Sequence, residues 1–170
     1  KKYLILAPIE LGPIPAMHTP MASVVKVDPD PANGDIYEQG RGKFAYSKAL
    51  LDRAAAAAGI VWLPEMCGRT DAGTDPEVVR FRMTGKRKEL DGQWRVVPRE
   101  YEFDLRAREK ELEDTVPKRD AITQIADKAK REKAIAEAIN KDMVQLRKHK
   151  IARAESGAAN RVVRVFLGIK

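Results

Sequence analysis

VVRFRMTGKRKELDGQWRVVPREYEFDL, residues 78–105, opens with apolar and basic side chains alternating at the period of a β-strand. Val79, Phe81 and Met83 fall on one face and Arg80, Arg82, Lys86 and Lys88 on the other, because successive side chains of a strand project to opposite sides. Asp91-Gly92 suits a two-residue type I′ turn, whose central positions both take a positive φ. Pairing Leu90 with Gln93 across that turn sets Arg95 opposite Lys88 and puts Trp94 and Val96 on the face of Phe81 and Met83. Val97-Pro98-Arg99-Glu100 then reads as a second turn into a third strand, Tyr101 to Leu105. The expected unit is an antiparallel β-meander with one greasy and one basic face. Such a basic face suits a phosphate backbone, since each neutralised phosphate releases condensed counterions. It equally suits a solvated face whose charges discourage edge-to-edge pairing.

Upstream, residues 1–31 hold six of the ten prolines and read as an extended arm with one short strand near Tyr3 to Leu6. Residues 32–170 are expected to form a single core domain. Val24 to Val27 and Asp35 to Glu38 are strand-like, and Gly40-Arg41-Gly42 turns the chain into a return strand, Lys43 to Tyr46. Ser47 is a good N-cap for KALLDRAAAAA, residues 48–58, a strongly helix-favouring run that Gly59 stops. Ile60 to Leu63 resumes extended structure. Downstream, Thr115 is an expected N-cap, and Ile122, Ile125, Ala129, Ile135, Ala138, Ile139, Met143 and Leu146 recur at helical intervals. Gly157 marks an expected bend or close approach before a last helix whose apolar side holds Val162, Val163, Phe166 and Leu167. The fold class is α+β: a β-hairpin, a helix, a three-stranded meander, then long C-terminal helices.

The charge is unevenly spread. Residues 118–170 hold 14 Lys and Arg against 6 Asp and Glu, while the first 117 hold 18 against 19. The net charge of +7 is thus the sum of +8 in residues 118–170 and −1 before them, and this basic excess favours a polyanionic partner. Cys67 is the only cysteine, so no internal disulfide forms. No Cys/His spacing suggests zinc, and no GxxxxGK[ST] loop suggests nucleotide hydrolysis. Gly40-Arg41-Gly42-Lys43 joins two strands, so a hairpin turn is the default there over a phosphate cradle. Asp71 and Asp75 have a spacing that could hold a divalent ion but lack the other ligands of a calcium loop. The expectation is a chain that is not an enzyme and uses no cofactor or metal. No segment is long enough to span a membrane, and the missing initiator Met suggests the ordered part of a longer protein.

Basic residues interleaved with aromatics remain. Cationic grooves with stacking side chains hold single-stranded nucleic acid, and Tyr46, Trp62 and Trp94 are the candidate stackers, with core packing as the competing reading for each. Two stretches, GDIYEQGRGKFAYSKALLDRAAAAAGI (34–60) and KIARAESGAANRVVRVFLGIK (150–170), resemble segments of phage-encoded single-strand annealing proteins of the RecT/Redβ/Erf recombinase superfamily. The resemblance implies ATP-independent binding of single-stranded DNA and annealing of complementary strands in homologous recombination, by a homo-oligomeric ring or filament in the host cytoplasm. It implies phosphate contacts at Lys43, Lys48 and Arg53 and at Asn160, Arg161 and Arg164. Arg80, Arg82, Lys86, Lys88 and Arg95 extend that set from the strand alternation alone. The alternatives are a phage structural or assembly protein with basic helices, and a metal-dependent nuclease using Asp71 and Asp75.

Overall fold

The computed structural model describes residues 2–6, 23–40, 42–89 and 91–169. Arg41, Leu90 and most of the proline-rich arm lie outside them. The fold is mixed α+β with antiparallel sheets. Strand β1 (Lys2–Leu6) pairs antiparallel with β2 (Ser23–Val27), and β3 (Ile36–Gly40) with β4 (Lys43–Tyr46). Helix α1 (Lys48–Ala57) follows, then β5 (Val61–Trp62), β6 (Gly68–Arg69), β7 (Val78–Lys88) and β8 (Trp94–Asp104). The order β5-β7-β6, with β8 also on β7, makes a four-stranded sheet. Helices α2 (Leu105–Thr115), α3 (Asp120–Thr123) and α4 (Lys128–Leu167) complete the chain.

By its contacts the chain divides into two compact units, one of Lys1–Gly68, Arg82–Glu100 and Ser156–Lys170, the other of Arg69–Phe81 and Tyr101–Glu155. In the first, Ser47 caps α1 as expected, its hydroxyl accepting from the Leu50 N–H at 3.2 Å, and Gly59 leaves the helix at φ 68°. The alanine run lets α1 approach closely: Ala54 and Ala55 are buried beside Leu50 and Leu51. Each of those leucines, fully enclosed, contributes about 1.5–3 kcal/mol. Leu51, Ala55 and Ile60 pack with Val97 of β8 and with Val162, Val163 and Phe166 of α4. Gly85 is where strand and helix come closest, since a Cβ there would lie 2.9 Å from Val162 Cγ1 and 3.1 Å from Ile60 Cγ2. Arg87 fastens the end of α4, donating to the Phe166 carbonyl at 3.0 Å, where the helix dipole favours a cation.

In the second unit, Val79, Phe103, Leu105, Met143 and Ala154 are buried together, flanked by Ile139 and Leu146 of the same helix stripe. The Asp104 carboxylate accepts from the Arg106 N–H and so starts α2, and Asp127 does the same for α4 through Lys130 N–H, each at 2.9 Å.

Four expectations are corrected. β8 runs unbroken from Trp94 to Asp104, so residues 97–100 are not a turn and Tyr101 to Leu105 is not a third strand. Pro98 is tolerated because β8 pairs only with β7 among the described strands, and an edge strand can lack a donor. Thr115 is the last residue of α2 and precedes the 3-10 turn Val116–Lys118, as its N-cap position requires, but its hydroxyl donates back to the Glu111 carbonyl at 2.7 Å and caps no helix. The long helix begins at Lys128 and continues through Gly157 to Leu167, so no separate last helix starts after Gly157, and Ile122 belongs to the short α3. The hairpin register also differs, and this changes the candidate site.

Candidate nucleic-acid interface

The Glu89 N–H donates to the Gln93 carbonyl at 2.8 Å, so Glu89 and Gln93 close the β7–β8 hairpin, with Gly92 at φ 82°. A hairpin closed one residue wider than the two-residue turn, with glycine in the left-handed region, is a standard alternative. Glu89 therefore faces Gln93, and the same ladder puts Arg82 beside Glu100 and Arg80 beside Glu102. Leu90 itself lies outside the described residues, but the expected register that sets Arg95 opposite Lys88 is one residue off, and a slip of one moves every β8 side chain to the other face.

The consequences are visible in burial. Val97 is buried with the core, whereas Trp94 and Val96 are 53% and 46% exposed, so they lie on the outer face and not with Phe81 and Met83. Arg95 is the converse. It lies on the core side, its guanidinium 5.9 Å from the Phe166 ring and 4.0 Å from Glu89, and it does not join the basic row.

The outer row of β7 is itself of two kinds. In the second unit Arg80 Nε donates to Glu102 at 2.6 Å; in the first, Arg82 Nη2 lies 3.5 Å from Glu100. Lys86 and Lys88 have no carboxylate within ion-pair distance among the described residues. The Lys86 ammonium sits over the Trp94 indole, 4.9 Å from its centroid, and Lys88 is exposed. The hairpin end thus presents two ammonium groups, an exposed indole and the exposed Val96.

The remaining candidates are dispersed. Tyr46 and Trp62 are half-buried against the core of the first unit. Lys43 is exposed on β4, and Lys48 is paired with Asp52 along α1. Arg53 donates to Asp35 at 2.7 Å. The Asp28 N–H and Arg53 together hold the Asp35 carboxyl below its ordinary pKa, which makes this a fastening of the turn before β3. Arg161 Nη1 donates to the Glu100 carbonyl at 2.8 Å. Asn160 Oδ1 and Arg164 Nε are enclosed, with no hydrogen-bond partner among the described residues.

The carboxylates of the possible cation site are occupied by cationic and amide donors. Asp71 accepts from Arg69, from Arg80 N–H and from Gly73 N–H, and Arg69 leads in holding its carboxyl down at about 2. Asp75 accepts from Arg106 at 2.8 Å and from the Glu77 N–H. No helix among the described residues is long and apolar enough to cross a membrane.

Sequence reasoning missed the outward placement of Val96 and Val61, and Arg87 as a helix fastening. The signal for Val96 was present: opposite charges pair across strands, and only this register sets both Glu100 and Glu102 against arginines. Comparison of this chain with protein-family models, curated proteins and solved structures found no match.

Proposed function

We propose that this protein binds single-stranded DNA on the outer face of the β7–β8 hairpin and, as the sequence resemblance implies, promotes ATP-independent pairing of complementary strands as a homo-oligomer. The observation that supports the binding is the exposed Trp94 indole beside two lysines that have no carboxylate partner among the described residues. An unpaired strand offers the two things this surface matches, anionic phosphates and flat apolar bases.

Magnitudes decide what happens to the Lys86–Trp94 contact. An exposed cation–π contact is worth about 0.5–1 kcal/mol, and base stacking on an aromatic about 1–3 kcal/mol. The base displaces the ammonium from the indole, and the ammonium moves to the adjoining phosphate. Lys88 takes a second phosphate. A strand held by its backbone and by a base face leaves Watson–Crick edges exposed, so pairing itself supplies sequence recognition and no catalytic side chain is needed.

The test uses a labelled oligothymidylate, followed by anisotropy and tryptophan fluorescence across a salt series, with complementary oligonucleotides annealed in the absence of ATP. Salt-sensitive binding with quenching of Trp94, together with faster annealing, is the expected result. A protein that neither binds the oligothymidylate at low salt nor speeds annealing overturns the proposal.

A further inference from the structure

Beyond Trp94, the outer face of the first unit carries a second apolar element on the opposite side of Lys86. Val61 of β5 is the direct partner of Lys86 on β7, and Trp62 that of Gly85. Partners across antiparallel strands project to the same face, so Trp62 turns inward with Gly85 and Val61 turns outward with Lys86. Val61 is 47% exposed. Next along the chain, the carbonyl of Met66, itself 49% exposed, accepts from the Thr84 hydroxyl at 3.1 Å. Thr84 shares the outer face with Lys86 and is fully covered. The hairpin ladder sets Val96 on the other side of Lys86. Across three strands the outer face therefore reads Val61, Lys86, Val96, with Trp94 diagonal to Lys86. Two strand spacings make this row about 10 Å wide.

We infer that Val61, with Met66 beside it, is a second nucleobase contact, so that one protomer seats two neighbouring bases of a single strand with the phosphate between them on Lys86. This rests on the reading of Trp94 and Lys86 as a nucleotide site. The alternation selects the occupant. A lysine between two apolar positions interrupts the continuous apolar surface that insertion into a lipid layer requires. A peptide strand would add to the sheet edge through its backbone and leave this face open. A single nucleic-acid strand alternates apolar bases with anionic phosphates, as the row alternates apolar side chains with an ammonium.

Val61→Ser is compared with Trp94→Ala and the wild-type protein, using oligothymidylate as the probe. Val61 is half exposed, so V61S is expected to keep the wild-type melting temperature. V61S should bind about threefold to fivefold more weakly, the effect of losing part of one valine's burial. Its salt slope and its tryptophan quenching at saturation should match those of the wild type, because no phosphate contact and no indole is removed. If V61S binds as tightly as the wild type while W94A is weakened, the β5 contact is wrong and the Trp94 site stands. Should W94A also bind normally, the nucleotide site itself is overturned. Vesicles of anionic phospholipid that capture the wild type but not V61S would overturn the inference in favour of a lipid surface.

Discussion

At one end of β7, Arg80 and Arg82 lie across from Glu102 and Glu100; at the other, Lys86 and Lys88 lie across from Val96 and Trp94. By charge alone the two ends are equal, since each contributes two cations to the same face. Their neighbours separate them. An exposed ion pair adds only about 0–1 kcal/mol to stability, yet it spends the cation on a carboxylate, and a phosphate must compete for it. The lysines carry no such competitor among the described residues, and they border the one exposed tryptophan. A basic stripe read from sequence is therefore an upper bound on a binding face, and the opposite strand decides how much of it is available.

The comparison can be broken most severely from beneath. Gly85 lets the Lys86 end of β7 lie against Val162 and Ile60, and Gly85→Leu forces atoms into that contact. Overpacking of this kind costs about 1–3 kcal/mol or more, and chemical denaturation should show it, with binding lost in parallel. A G85L protein as stable as the wild type would mean that the helix does not support the hairpin there. Next in size is W94A, expected to lose about 1–3 kcal/mol of oligothymidylate binding with little change in melting temperature.

Salt dependence tests the two ends against each other. Each phosphate contact on a single strand contributes about 0.7 to the slope of log affinity against log salt. Lys86→Met with Lys88→Met should lower that slope by about 1.4, while Arg82→Gln should leave it close to the wild-type value. Equal losses from both variants would mean that the two ends of β7 bind phosphate alike. The smallest effect concerns Asp71. Its carboxyl titrates at about 2 against an ordinary 3.8, so it stabilises the folded state above the ordinary value. That contribution disappears as pH falls through the window between the two. Asp71→Asn should flatten this part of the acid unfolding curve followed by circular dichroism, and an unchanged curve would show that Arg69 does not hold Asp71 in solution.

Local signals carried much of the fold. Ser47, the alanine run and Gly59 bracket α1 within a residue, because capping and propensity are properties of a few adjacent side chains. The β7 alternation was legible for the same reason. What failed was anything set by a partner distant in the chain. The β8 register depended on a loop whose Asp-Gly pair suits two lengths, and only Glu100 and Glu102, seen against Arg82 and Arg80, distinguish them. Pro98 looked like a turn because its tolerance depends on β8 being an edge strand. Tyr46 and Trp62 could be told from Trp94 only by which face the core occupies.

The core around Ile60 also sets an order of events during synthesis. Leu51, Ala55 and Ile60 are covered by Val162, Val163 and Phe166, and Arg87 must wait for the Phe166 carbonyl. With Phe166 106 positions after Ile60, a ribosome adding about 5–20 residues per second leaves these side chains open for roughly 5 to 20 s. A pause in translation before residue 162 prolongs that exposure.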